Sequence, residues 1–162
     1  MEHLFDDILE KNEQIIKIIK PSKSRYVKAL FAPFLIPIFW PHLILILVLT
    51  LFTLPFFYMH GYKNLYYCYT NKRLIVRKGI MGVDYHSLDF KNITASSVNV
   101  GFFDKSKNAT TGTIFFKSPS SSIKFQYVEN PYDLLREIKE HIDSINVNTN
   151  SENNPTTSDL KF

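Results

Sequence analysis

Lys72, Arg73, Arg77 and Lys78 stand close together in the chain, and Lys105 and Lys107 form a second basic pair just after Phe102 and Phe103. Such groups suit anionic, phosphate-bearing headgroups, since each Lys or Arg near an anionic surface adds about 1 kcal/mol of attraction. The plainer use of the same residues is structural: Arg73 braces a turn, Lys72 points into solvent, and the cluster only sets the orientation of a neighbouring apolar run. The sequence leaves both uses open. Chemistry of other kinds has little to work with. His3, His42, His60, His86 and His141 fall in different segments with no short ligand spacing, and Cys68 is the only cysteine, so neither a zinc centre nor an internal disulfide is expected. There is no phosphate-binding glycine loop and no Ser-His-Asp order, and the neighbours Asp6 and Asp7 read as solvated carboxylates. No catalytic residue, metal ligand or cofactor is therefore expected. An enzyme would need Cys68, Thr70 and His60, the polar side chains nearest the apolar run, to converge on one pocket.

The elements that must carry these residues are organised around positions 29–59, a run without one Asp, Glu, Lys or Arg. A bilayer core of about 30 Å is spanned by roughly 20 helical residues, so the run predicts a membrane segment. One straight helix over its whole length would need a tilt near 50°, beyond the usual limit of about 40°. Trp40-Pro41-His42 interrupts the run near its middle with a helix-breaking proline and an interface-preferring tryptophan. The expectation is a two-pass helical hairpin over residues 26–62, with one long tilted helix as the alternative. Lys20, Lys23, Arg25 and Lys28 precede the run, and Lys63, Lys72, Arg73, Arg77 and Lys78 follow it. Basic flanks favour the cytoplasmic side, so a hairpin places the protein at the cell membrane with both termini in the cytoplasm. Trp40, Tyr58, Tyr62, Lys28 and Lys63 are then the membrane-interface residues. The net charge of +4 gathers beside the run, a pattern that suits anionic lipid rather than nucleic acid.

Residues 1–25 form an N-terminal segment in which 3–10 could make a short helical turn and 12–20, with its paired isoleucines, a strand. After Gly61 the chain becomes a series of short β-branched and aromatic runs at 65–69, 74–77, 84–90, 93–102, 113–117 and 123–128, separated by turn residues and with no helices between them. That spacing predicts an antiparallel sandwich or barrel. The period then changes. Asn130 and Pro131 open a helix whose Leu135, Ile138, Ile142 and Ile145 share one face. Residues 63–145 thus read as one β-domain with a C-terminal helix, and the Asn-rich stretch 146–162 as a disordered tail.

In this order the chain resembles the bacterial pleckstrin-homology-like family of small membrane proteins. The residues that carry the resemblance are Tyr69-Thr70-Asn71-Lys72-Arg73-Leu74-Ile75, then Arg77-Lys78-Gly79, the segment 88–98 with Ile93 and Val98, Gly112-Thr113-Ile114, and Asn130-Pro131-Tyr132. It implies an α+β fold, a bent sandwich of about seven strands closed at one end by the helix. It also implies a site, because basic residues around the first hairpin of eukaryotic pleckstrin-homology domains bind phosphoinositide headgroups and the cluster 72–78 occupies a similar place, although its spacing does not reproduce the usual motif. Residues 103–109 depart from the family by being charged where relatives often have a glycine-rich loop. The function expected is a non-enzymatic, membrane-anchored binding or assembly platform. Its partners would be membrane lipids and a membrane or cytoplasmic protein, with a homo-oligomer, or a subunit of a lipid-modifying enzyme, as the competing readings.

Overall fold

The computed structural model describes residues 4–31, 48, 51, 55–56, 58–101 and 110–152. Seven strands form two antiparallel sheets, one of order β1 (Ile15–Ile19), β2 (Tyr66–Thr70), β3 (Arg73–Lys78) and β4 (Asp84–Asp89), the other of order β5 (Ala95–Asn99), β6 (Thr111–Lys117) and β7 (Ser122–Glu129). A helix α1 (Lys23–Phe31) follows β1, a π-helical turn (Tyr58–Tyr62) leads into β2, and α2 (Pro131–Glu152) follows β7. This is the α+β arrangement expected from the sequence, with the sheets stacked rather than closed into one barrel.

Alternation along β2 explains how the layers stack. Tyr67 and Tyr69 point between the sheets and Cys68 points the other way, and all three are buried. A strand covered on both faces reads as a continuous apolar run, as Tyr66-Tyr67-Cys68-Tyr69 does. The inner side joins Leu74, Val76 and Leu88 to Ile114, Phe116 and Phe125 of the second sheet, with Tyr67 stacked on Phe125 at 4.7 Å between ring centroids. The outer side is a smaller cluster in which Cys68 and Ile75 lie under Phe5, itself fully buried, with Leu4, Ile8 and Leu9 around it. The first residues described are therefore a strap across the outer face of the first sheet, shaped by a 3-10 turn at Asp6–Ile8.

The second sheet bends at a bulge. Gly112 pairs with Val128 but Ile114 pairs with Phe125, so Gln126 and Tyr127 together oppose Thr113. Tyr127 takes a φ of 57°, rare for a bulky residue. The polar groups that the bulge frees are met by the buried Tyr67 hydroxyl, which accepts from the Gln126 N–H at 2.9 Å and donates to the Gln126 carbonyl at 3.2 Å. Burial pushes the Tyr67 phenol up from its ordinary value, so it stays a donor. α2 closes the sandwich with Leu134 and Ile138 buried and Leu135, Ile142 and Ile145 packed at the margin. It runs on past Ile145 to Glu152.

The two-pass hairpin expected over residues 26–62 is corrected here. Among the described residues no helix is long and apolar enough to cross a membrane. α1 has nine residues, carries Arg25 and Lys28 after its first residue Lys23, and at about 1.5 Å per residue reaches roughly half of a 30 Å hydrocarbon core. The location at the cell membrane with both termini cytoplasmic, which rested on that hairpin, falls with it. Most of the apolar run, including Trp40 and its turn, lies outside the described residues.

Candidate functional site

The four basic residues 72–78 do not form one cluster. β3 holds Arg73 and Lys78 at its two ends, about 17 Å apart at roughly 3.3 Å per residue. Around Arg73 the turn between β2 and β3 grips the strap. Glu13 has a fully buried side chain, and its carboxylate accepts from Arg73 Nη2 at 2.8 Å, Arg73 Nε at 3.0 Å, the Thr70 hydroxyl at 2.7 Å and the Glu10 N–H at 2.8 Å. Burial alone would raise this carboxyl, but the Arg73 guanidinium and the other donors outweigh it and hold it below its ordinary value. Arg73 also donates to the Ile8 carbonyl at 2.7 Å and meets Glu10 at 3.3 Å, while Lys72 reaches Glu10 at 3.4 Å and the Lys11 carbonyl at 3.1 Å. Asn71 completes the grip through Gln14 and Asn12, the latter with a φ of 65°. Tyr69-Thr70-Asn71-Lys72-Arg73 is thus a dock for residues 8–14, and every basic group in it is matched by an acid.

The opposite end of the same sheet is built differently. The registers Ile19 with Tyr67, Tyr66 with Arg77 and Lys78 with Asp84 bring the end of β1, the start of β2 and the loop 79–83 together. Lys20 Nζ lies 3.8 Å from the centre of the Tyr66 ring and 4.7 Å from that of Tyr62, and Arg77 stands at 5.9 Å from Tyr66. Tyr58 stacks on Tyr62 with planes 6° apart, and Tyr26 packs against both and against the bulge residue Tyr127. A methyl group at Gly61 would overlap the Tyr26 hydroxyl, so the Tyr26 ring would have to shift to accept one. The Tyr58 hydroxyl raises the affinity of the Lys23 ammonium for its proton. None of the ion pairs found among the described residues involves Lys20, Lys23, Lys63, Arg77 or Lys78, although Asp84 is the cross-strand partner of Lys78.

Beside these cations the loop 79–83 presents an apolar tip. Met81 is 94% exposed, Val83 41% and Ile80 40%. Gly79 starts the loop at a φ of +146°, where a side chain would run into the Gly82 carbonyl, and its own carbonyl accepts from the Asn64 amide at 3.1 Å. Turn tips are ordinarily polar, so Ile80, Met81 and Val83 set around Gly82 are the signal in the sequence that marks this loop, and it lies in hydrophobicity rather than in charge. The acid partner of Arg73 was hidden, since Glu13 lies far away in sequence.

Tyr58 and Tyr62 are half-buried in the aromatic group just described; Lys28 lies in α1, and Lys63 is exposed just after the π-helical turn. Trp40, Lys105 and Lys107 lie outside the described residues. The side chains that an enzyme would need do not share a pocket. Cys68 is buried under Phe5 with its thiol pushed up to about 12 by burial, Thr70 is committed to Glu13, and exposed His60 has Nδ1 3.0 Å from the Phe56 carbonyl.

A comparison with curated proteins finds no match. Among solved structures the chain is similar to a pleckstrin-homology-domain protein of the DUF1696 family from Shewanella loihica, with 13% identity, a TM-score of 0.46, and coverage of 86% of this chain and 91% of that one. The sequence profile described as Bacterial PH domain matches residues 25–144, which takes in most of α1, β2 to β7 and most of α2. The chain belongs to the bacterial PH domain family.

Proposed function

We propose that this chain is a non-enzymatic binding module that docks the aromatic and basic end of its first sheet on an anionic lipid surface. The observation that carries the reading is the exposed tip Ile80, Met81 and Val83 standing beside Arg77, Lys78 and the tyrosine-backed Lys20, none of which takes part in an ion pair found among the described residues. Apolar side chains that enter the acyl boundary, tyrosines at headgroup depth and cations facing phosphates are the parts of an interfacial contact. Such docking is peripheral and needs no crossing helix. Of the basic residues put forward from the sequence, Arg77 and Lys78 contact the headgroups, while Lys72 and Arg73 serve the strap. A non-catalytic role is supported by family membership and by the separation of Cys68, Thr70 and His60.

The test is an environment-sensitive fluorophore on the Met81→Cys chain, with vesicles of phosphatidylglycerol or of phosphatidylcholine added. Cys68 stays unlabelled, because it is buried and its thiol is pushed up to about 12. The expected result is a blue shift with phosphatidylglycerol alone, weakened by salt, and weakened about fivefold by each of Arg77→Gln and Lys78→Gln, the equivalent of about 1 kcal/mol per charge. Unchanged emission, or the same shift with both lipids, would sink the proposal.

A further inference from the structure

A second surface lies on the other sheet. Between the start of β5 and the middle of α2 runs an open groove of about 740 Å³, floored by Phe90, Phe116 and Ile142. Ligand sites commonly measure about 300 to 1,000 Å³. Ile93 and Thr94, just before β5, and Ala95 and Ser96, its first two residues, are consecutive and all line it, so the groove meets the edge of the sheet where β5 begins rather than one of its faces. Among the described residues β5 pairs only with β6, through registers from Ala95 with Lys117 to Asn99 with Thr113, which leaves alternate N–H and C=O groups of β5 directed away from β6.

The four strand edges of the two sheets are not equally protected. β1 carries Lys17 and a register irregularity beside it, β4 carries Asp84 and Asp89, and β7 carries Lys124, Glu129 and the bulge at Tyr127. Charges and bulges on an edge prevent another strand from adding to it. β5 reads Ala-Ser-Ser-Val-Asn, with no charge, no proline and no irregularity in its pairing. Cations instead stand at the rim of its groove: Lys91 and Lys139 are exposed and take part in no ion pair found among the described residues, against one acid, Asp143.

We propose that β5 and its groove take an extended segment of a partner protein by strand addition, a segment with apolar side chains at alternate positions for the aromatic floor and a carboxylate for Lys91 and Lys139. Backbone hydrogen bonds to β5 supply the affinity, and the groove and the two lysines select the sequence. The surface is independent of lipid docking at loop 79–83.

The test is selection of a phage-displayed random heptapeptide library on the 162-residue chain, followed by titration of the enriched sequences as synthetic peptides. Enriched peptides are expected to carry Asp or Glu beside alternating apolar residues and to bind the Lys91→Glu/Lys139→Glu chain at least about tenfold more weakly. They are further expected to slow amide hydrogen exchange across residues 95–99, and to lose binding when alternate peptide amides are N-methylated. Both lysines are exposed and outside the ion pairs, so the double variant keeps its thermal midpoint and its response to phosphatidylglycerol vesicles. The proposal is overturned if no peptide enriches, if enriched peptides bind the double variant as well as the original chain, or if exchange at 95–99 does not change.

Discussion

The two ends of the first sheet carry the same kinds of basic residue and use them oppositely. At the β2–β3 turn, Arg73 and Lys72 face Glu13 and Glu10, and the charges are consumed in holding the strap to the sheet. At the other end Arg77 and Lys20 lie against tyrosine rings, which attract a cation without neutralising it. Beside them the apolar tip of loop 79–83 is left open. A cluster of cations becomes a candidate binding site where the fold leaves them out of ion pairs, as it does here even with Asp84 across the strand from Lys78. One strand, β3, separates the structural use from the available one.

The largest effect that tests this contrast is at Arg73. In Arg73→Leu the Glu13 carboxylate stays buried without its counter-charge, and breaking such a pair from one side costs about 3 kcal/mol or more. Chemical denaturation is expected to show a loss of that size. Lys72→Met, which removes only exposed contacts to Glu10 and Lys11, is expected to cost less than about 1 kcal/mol. The response of the labelled loop tip to phosphatidylglycerol should survive in Arg73→Leu wherever the protein remains folded. If that variant were as stable as the original chain, the clamp would not be a clamp.

A smaller effect comes with acid. Glu13 ionises below its ordinary 4.5 in the folded chain, because its donors outweigh the burial that opposes them. Glu137 is lowered too, first by Lys17 at 2.6 Å and then by the Tyr69 hydroxyl at 2.7 Å, but this carboxylate is half-exposed and its share is screened. As pH falls from about 4.5 through the folded values, the unfolded chain takes up protons before the folded one, so stability present above that range is lost on the way down. Thermal midpoints are expected to be flat from neutrality to about pH 5 and to drop below it. Glu13→Gln, with a lower midpoint at neutrality, is expected to show a shallower acid slope. An equal slope in both chains would place the acid sensitivity elsewhere.

What could be read in the sequence was what local pattern controls. Short β-branched and aromatic runs between turn residues marked the strands of the β-domain, and the change of period with Asn130-Pro131 marked α2. Tyr67 and Tyr69 stand two apart in one of those runs, on one side of the strand, and both are buried. The strap was not readable in this way, because Phe5 and Glu13 acquire their roles only through residues of β2 and β3. Nor was the splitting of the basic cluster, since neighbours along an extended strand are distant in space. The hairpin drawn from 26–62 shows the opposite failure. An apolar run reports a preference for an oily environment but not the length of the helix formed, and α1 is short and basic.

The smallest expected effect is the one that separates the two ends most sharply. Arg77→Gln removes a 3.3 Å contact to the Tyr85 hydroxyl and a position over Tyr66, yet leaves no buried acid behind. The Tyr85 hydroxyl keeps its own bond to the Leu4 carbonyl at 2.9 Å, so that part of the strap remains held. A surface substitution without a stranded partner changes stability by within about 0.5 kcal/mol. Denaturation should then scarcely distinguish Arg77→Gln from the original chain, while its response to phosphatidylglycerol weakens. Arg73→Leu should show the reverse, a large loss of stability with the lipid response kept. If Arg77→Gln instead destabilised the fold by as much as Arg73→Leu, the arginine beside the open loop would also be structural, and the asymmetry between the two ends would vanish.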